Sequence, residues 1–445
     1  MSDQAIIRIT KEINQIESNA DLSIAVDYDE SDIRNIRAML LGPPETPYQF
    51  GFFEFTIKFG KDYPQKPPTV KAVTSNSGAC RFSPNLYANG KVCLSILGTW
   101  TGERGEQWSS AQGLESVLLS IQSLMSANPY ENEPGYENAN SHQDKDNMAH
   151  YKAKITHETL RIAVIQPLES ALDILPDGTA KITVEKLSDD DSSDEEDVVY
   201  ENPFTDLRKR RFLWYHESYV QVIDKESQKE SASKRPFTRM PFESCGNTMD
   251  GHFNYPELKR RINNIKNKIM EETEDWRVQG LQAVKDEKGI AVNLKHQHEQ
   301  IVETLKSHKN FSIDLALVDD NPFVWTMTYF GRPASPLEGA IIKIKIHLSP
   351  QFPKEQPRVF VETPLSHIRV SKEGVLCYFP RRIDEMRHHI EAIMDVLEEE
   401  EPPYDPRTNV NPEAAKLFWG APEDRRKYRR TIRRDIERSV EEAYE

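Results

Sequence analysis

The stretch Arg81 to Leu97, RFSPNLYANGKVCLSIL, gathers residues suited to carbonyl chemistry around one turn. Cys93 follows the turn signal Asn89-Gly90 and leads straight into an apolar run. Asn85 stands eight residues before it, on the other side of that turn. A thiol presented in this way can form a thioester, and an amide side chain led back toward it can stabilise the attack. The same cysteine can equally be a small buried hydrophobe at the start of a strand. The window alone leaves both readings open. No histidine or carboxylate motif around Cys93 reads as the activating pair a cysteine hydrolase needs. Cys80, Cys245 and Cys377 are widely scattered and lack CxxC spacing, which argues against a disulfide framework or a zinc site. No metal and no cofactor is expected, and free thiols fit a reducing compartment, the cytoplasm or nucleus.

These residues need elements to position them. Residues 4–17 read as an amphipathic helix, with Ile6, Ile9, Ile13 and Ile16 on its apolar face. Arg8, Lys11 and Glu12 are assigned to the other, solvated face. Four β-patterned runs follow: LSIAVDYD, IRNIRAMLLG, FFEFTIKF and TVKAVTS. The turn-rich segments GPPETPYQFG and GKDYPQKPP separate them as an antiparallel meander requires. Prolines fall between the runs, where they interrupt no sheet hydrogen bond. After Cys93 a glycine-rich excursion, GTWTGERGEQWSSA, leads to the helix AQGLESVLLSIQSLMS. The segment ANPYENEPGYE forms a second polar loop with Glu131 and Glu133, and helices run on through THETLRIAVIQPLESAL. This is an α+β order.

At 445 residues the chain has length for two or three domains. Charged residues make up 29%, and no apolar run is long enough to cross a bilayer. The opening MSDQAIIRITKEINQI is helical and charged, unlike a signal peptide. A formal net charge of −15 disfavours nucleic acid as main partner and fits the binding of basic protein surfaces. Residues 176–205 are a break, because SDDDSSDEED has nothing apolar to bury and is expected to be disordered. Ser192 and Ser193 within it are candidate phosphoacceptors. Helical patterns resume in LRKRRFLWYHESYVQVI and YPELKRRINNIKNKIMEE, flanking the loop RMPFESCGNTMDGHF. The KRR cluster at 209–211 is read as a solvated face.

The tail repeats the head. Gly42 matches Gly331, Pro47 matches Pro336, and Tyr63-Pro64 matches Phe352-Pro353. Pro68 matches Pro357, Gly90 matches Gly374, and Cys93 matches Cys377. Two copies across a long spacer make a duplication and not a solenoid.

GPPETPYQFGFF, DYPQKPP, SPNLYANGKVCLSIL and the helix after them resemble a ubiquitin-conjugating enzyme catalytic domain, through about the first 170 residues. VCLSILGTWTG, LLSIQSLMSANPYENEPGYE, THETLRIAV and PFESCGNTMDGHFNYPEL resemble the large Z-type members, to about residue 270. The resemblance implies two conjugating-enzyme folds, each a four-stranded antiparallel meander with flanking helices. Residues 1–175 would be the catalytic copy, 176–205 an acidic linker, 206–290 a helical extension and 291–445 a second, divergent copy. It implies a thioester carrier, in which an activating enzyme hands ubiquitin or a ubiquitin-like modifier to Cys93 for transfer to a substrate lysine or a ligase. Asn85 matches the asparagine of the family's His-Pro-Asn motif, whose jobs are to stabilise the oxyanion and order the loop. Ser83 stands where the histidine would be, a departure that touches loop packing more than chemistry. Glu133, with Glu131 second, matches the carboxylate that orients or helps deprotonate the incoming lysine. Arg8 and Lys11 match first-helix positions that meet the activating enzyme. Pro47, Gln65 and the Ser109-Ser110-Ala111 loop fall where ligases dock, although Gln65 and Ser110 replace an apolar residue and a proline common there. The insertion from Thr99 to Gln107 would select partners.

The second copy keeps Cys377 and His367, but Ile368 and Arg369 replace the Pro-Asn pair. After the cysteine, YFPRRIDEMRHHIEAIMDVLEE reads as entering a helix at once. Cys377 is a candidate second thioester site, with a docking or regulatory role the stronger expectation. NVNPEAAKLF and RRKYRRTIRRDIERS look like the family's C-terminal helices. The rival of another class is a catalytically silent ubiquitin-pathway binding protein built on two such domains. Silent variants usually lack the cysteine that this chain keeps.

Overall fold

Alternating apolar positions in two neighbouring runs set the first sheet. The computed structural model describes residues 2–19, 21–102, 105–181, 202–229, 235–244 and 248–444. In it β1 (Ile24–Tyr28), β2 (Asn35–Leu41), β3 (Phe52–Lys58) and β4 (Thr69–Ala72) form an antiparallel meander in chain order. The register sets Ile36 opposite Ile57, Ala38 opposite Phe55 and Leu40 opposite Phe53, so one face of the pleat is apolar throughout. Those residues share a buried cluster with Ile9, Ile13 and Ile16 of α1 (Ser2–Ser18). Leu114, Val117, Leu118 and Ile121 of α2 (Leu114–Ser123) complete it. A capping box at Ser141 and Asp144 starts α3 (His142–Glu158), which continues through a π-helical stretch (Thr159–Ile165) into α4 (Gln166–Ala171). Two long helices follow, α5 (Thr205–Lys229) and α6 (Tyr255–Lys285).

The chain divides into two units within those helices: Met1–Arg208 with Val222–Ile265, and Lys209–Gln221 with Lys266–Glu445. The second unit has α7 (Gly289–Ser307), then β5 (Ile313–Val318), β6 (Asn321–Phe330), β7 (Ile341–His347) and β8 (Arg358–Val361). It ends in α8 (Met386–Glu398), α9 (Pro412–Phe418) and α10 (Pro422–Tyr444). Its strands are again antiparallel in chain order, and Trp325, Met327 and Tyr329 face Ile346, Ile344 and Ile342. The expected α+β order therefore holds twice.

The duplication extends to single hydrogen bonds. The Phe50 N–H donates to the Gly42 carbonyl at 2.9 Å, and the Gly339 N–H donates to the Gly331 carbonyl at 3.1 Å. A Cβ on Gly42 would lie 1.8 Å from the Tyr48 carbonyl oxygen, and one on Gly331 would lie 1.7 Å from that of Leu337. Only glycine allows these close passes. Gly90 and Gly374 both have positive φ, +89° and +83°, and their carbonyls accept from the N–H groups of Ala72 and Val361.

Several expectations need correction. Ile6 is 39% exposed, and Ala5 is the buried residue of that turn. Glu12 is buried, so it does not belong to a solvated face. The KRR cluster is not a solvated face either: Lys209 and Arg211 are buried, and Lys209 pairs with Glu272 at 2.5 Å. Residues 378–385 separate Cys377 from α8, so the helix does not begin at once, although residues 94–113 fill the corresponding stretch after Cys93. Of the acidic break, residues 182–201 with Ser192 and Ser193 lie outside the described residues, as does Cys245. Residues before it form a turn closed by the Leu175 N–H on the Thr179 carbonyl at 2.8 Å.

Candidate active site

The loop before Cys93 is tied at almost every polar atom. Ser83, fully buried, accepts the Asn85 N–H on its Oγ at 3.3 Å. The Cys93 N–H donates to the Asn85 carbonyl at 2.9 Å, and Asn85 Nδ2 donates to the Cys93 carbonyl at 3.2 Å. One residue thus holds both backbone polar groups of the cysteine. Asn85 Oδ1 is buried with no hydrogen-bond partner. On the far side, Thr99 Oγ1 accepts from the Leu94 N–H at 3.0 Å and donates to the Val92 carbonyl at 2.7 Å. Cys93 is 4% exposed and lies outside the apolar cluster that takes Val92, Ile96 and Leu97. Cys80 belongs to that cluster, and burial pushes its thiol well up.

A residue not assigned a role from sequence connects this loop to the acidic one. Arg81 is buried, and its Nη2 donates to the Pro84 carbonyl at 2.7 Å and to Glu133 Oε2 at 3.1 Å. Burial raises the Glu133 carboxyl, and the Arg81 guanidinium opposes that rise. Glu131 is exposed. Arg81 also stacks over Tyr87 at 4.7 Å and over Phe242 at 5.6 Å. Phe242 belongs to residues 235–244, which return from the extension and pack on this unit. Its ring meets Tyr130, Tyr136 and Tyr151. The next residue, Glu243, pairs with Lys154 at 2.5 Å, and both side chains are buried. Nothing local in the sequence signals these long-range pairs.

In the second unit the same scaffold carries different chemistry. The Cys377 N–H donates to the Arg369 carbonyl at 2.9 Å, matching Cys93 and Asn85. His367 Nδ1 accepts the Arg369 N–H at 3.2 Å, the bond that Ser83 Oγ makes in the first copy. Burial, with Arg369 beside it, lowers His367 to about 4, so the imidazole is neutral and free to accept. The departure at Ser83 therefore preserves loop order. Cys377 is 0% exposed, and burial pushes its thiol up to about 12 against the opposing charges of Arg369 and Arg211.

A family model described as ubiquitin-conjugating enzyme matches residues 8–159 and again 296–434, together more than half of the chain. The chain belongs to the ubiquitin-conjugating enzyme family. Ubiquitin-conjugating enzyme E2 Z of Xenopus tropicalis is 36% identical over 271 residues, 61% of this chain and 74% of the relative. The E2 Z of Homo sapiens is 36% identical over 269 residues, 60% of this chain and 64% of its own length. That of Danio rerio is 48% identical over 168 residues, 38% of this chain and 49% of its length. The two matched segments fall on the two sheets, so this is a conjugating-enzyme chain with tandem folds.

The positions expected to meet other conjugation proteins are placed unevenly. Lys11 is exposed, whereas Arg8 is partly buried, paired with Glu12, and donates to the Gln112 carbonyl at 3.2 Å. Pro47 is buried within its own loop, which leaves little of it to present to a ligase. Gln65 and Ser110 are exposed. Trp108 Nε1 donates to the Pro64 carbonyl at 2.8 Å and so ties the excursion after Cys93 to the loop that carries Gln65.

Proposed function

We propose that this chain carries ubiquitin or a ubiquitin-like modifier as a thioester on Cys93 and passes it to a lysine amine or a ligase. Conjugating enzymes work with a modifier, an activating enzyme and ligases, and this reading assigns the same classes of partner here. The observation that carries it is the paired hydrogen bonding of Asn85 to both backbone groups of Cys93. In charging, the Cys93 thiolate attacks the carbonyl carbon of the modifier's thioester on the activating enzyme. A new C–S bond forms, the old one breaks, and the departing thiolate takes up a proton in place of the one Cys93 gave up on ionising. In transfer, the amine attacks the Cys93 thioester, the C–N bond forms, and sulfur leaves with the proton that the amine loses. Asn85 Nδ2 has a second N–H beyond the one on the Cys93 carbonyl, available for the oxyanion. Glu133 orients the amine or takes its proton. The absence of an activating pair in the Cys93 loop suits a carrier that must hold its ester without hydrolysing it. Arg369 stands beside Cys377 where Asn85 stands beside Cys93, and burial pushes the Cys377 thiol up, which supports a docking or regulatory role for the second copy. A reducing compartment, cytoplasm or nucleus, suits this thiol chemistry.

The test is incubation with activating enzyme, ATP and ubiquitin, read on a non-reducing gel. One thiol-sensitive adduct is expected, lost in Cys93→Ala, made thiol-resistant in Cys93→Ser and kept in Cys377→Ala. An adduct that survives Cys93→Ala and disappears in Cys377→Ala would move the activity to the second copy. No adduct in the wild-type chain with any modifier would sink the reading.

A further inference from the structure

The geometry points to Arg81 as the positioning residue of the transfer step, fixing Asn85 and Glu133 from a single guanidinium. The inference rests on the conjugating reading above and adds to it a residue that reacts with nothing. The Pro84 carbonyl and the Asn85 N–H belong to one planar peptide unit. Arg81 Nη2 donates to its oxygen at 2.7 Å, and its N–H donates to Ser83 Oγ at 3.3 Å. Both polar atoms of that plane are therefore fixed, and with them the direction in which the Asn85 side chain leaves the backbone. The same Nη2 holds Glu133 Oε2 at 3.1 Å, which sets the acidic loop against the cysteine loop.

The guanidinium itself has little freedom. It lies over the rings of Tyr87 and Phe242, and Nη1 reaches the Phe242 carbonyl at 3.5 Å. An arginine can do this because its long, flat guanidinium reaches both acceptors and lies against aromatic rings with its donors in fixed directions, whereas a lysine's ammonium is shorter and rotates freely. Arg81 is also the charged group that bears on Glu133, opposing the effect of burial. The titratable neighbours on the acidic loop are Tyr130 and Tyr136, bonded to Glu133 through backbone groups. Glu243, beside Phe242, is occupied by Lys154. Without Arg81 the Glu133 carboxyl rises further and is ionised only at higher pH.

The experiment loads the full chain with ubiquitin on Cys93, stops the activating enzyme, and follows single-turnover discharge to free lysine from about pH 4.5 to 9, each rate divided by the fraction of lysine present as neutral amine. Arg81→Met should charge as the wild type does, discharge about tenfold more slowly, and show an acidic limb moved to higher pH. Glu133→Gln should flatten that limb, and adding Arg81→Met to it should produce no further pH shift. A merely structural arginine would slow discharge without moving the limb. If Arg81→Met fails to fold, as judged by circular dichroism, Arg81→Lys carries the test. It should keep the limb near the wild-type pH and still discharge slowly, because the shorter side chain lacks the guanidinium's reach to both acceptors and its flat contact with Tyr87 and Phe242. Normal charging with an unmoved limb in Arg81→Met, or a wild-type discharge rate in Arg81→Lys, overturns the proposal alone. A wild-type chain that takes no ubiquitin on Cys93 overturns the conjugating reading and the proposal with it.

Discussion

An amide that donates to the Cys93 carbonyl, while its own backbone accepts from the Cys93 N–H, closes a small ring of hydrogen bonds around the sulfur-bearing residue. Replacing Asn85 by alanine removes the side-chain bond and leaves the backbone one. Charging of Cys93 should therefore persist, while discharge to free lysine falls by about 10²-fold, the usual cost of one oxyanion donor. Single-turnover discharge measures this, and an unchanged rate would take Asn85 out of the mechanism. The pair was legible in the sequence because its members lie close together across one turn. Ser83 was less so, since a missing histidine reads as a loss. What the loop requires at that position is an acceptor for the N–H two residues on, which Ser83 Oγ and His367 Nδ1 each provide. Arg81 and Glu133 meet across 52 residues of chain, and no spacing rule brings such a pair together.

Helix α2 begins at Leu114, its N-cap residue Gly113 has no side chain to cap it, and α1 supplies one. Glu12 Oε2 accepts the Leu114 N–H at 2.9 Å and the Tyr63 hydroxyl at 2.6 Å. A carboxylate at a helix N-terminus satisfies an orphan donor and complements the dipole. Glu12 stands three residues after Ile9 and four before Ile16, so it shares their face, and its charge disguised this. Glu12→Ala should destabilise the first unit by about 3 kcal/mol, because two buried donors lose their acceptor. Glu12→Gln should cost less, and urea unfolding distinguishes the two. The strap that returns from the extension depends on a pair that is equally invisible in sequence. Lys154 Nζ reaches Glu243 and the Thr238 carbonyl, while Glu243 Oε2 accepts the Met240 N–H at 3.1 Å. Glu243→Ala would leave the Lys154 ammonium buried without its carboxylate, at a cost of about 3–5 kcal/mol. Equal midpoints for wild type and variant would show that the pair contributes nothing.

At the scale of the whole molecule the two copies share strand register, glycine passes and cysteine-loop bonds, yet they bury different polar groups. The shared part was legible because glycine and proline mark backbone geometry directly. The difference was not, because burial of a charge depends on partners from distant elements. Among the described residues the buried histidines are His157 in the first unit and His347, His367 and His389 in the second. Burial lowers His367 and His389 to about 4, and lowers His347 as well. An unfolded histidine titrates near 6.5, so between about pH 6.5 and 4 the unfolded chain binds protons that the native second unit refuses. Stability present above pH 6.5 is therefore lost as the pH falls, by about 3 kcal/mol for each such histidine once pH 4 is reached. Hydrogen exchange followed by mass spectrometry should show β6 and β7 losing protection at a higher pH than β2 and β3. His389→Gln should move the loss in β6 and β7 to lower pH if it folds, because a neutral side chain there removes one proton from the linkage. Loss of protection in β2 and β3 first, or in both sheets at one pH, would mean that the buried histidines do not set the acid limit.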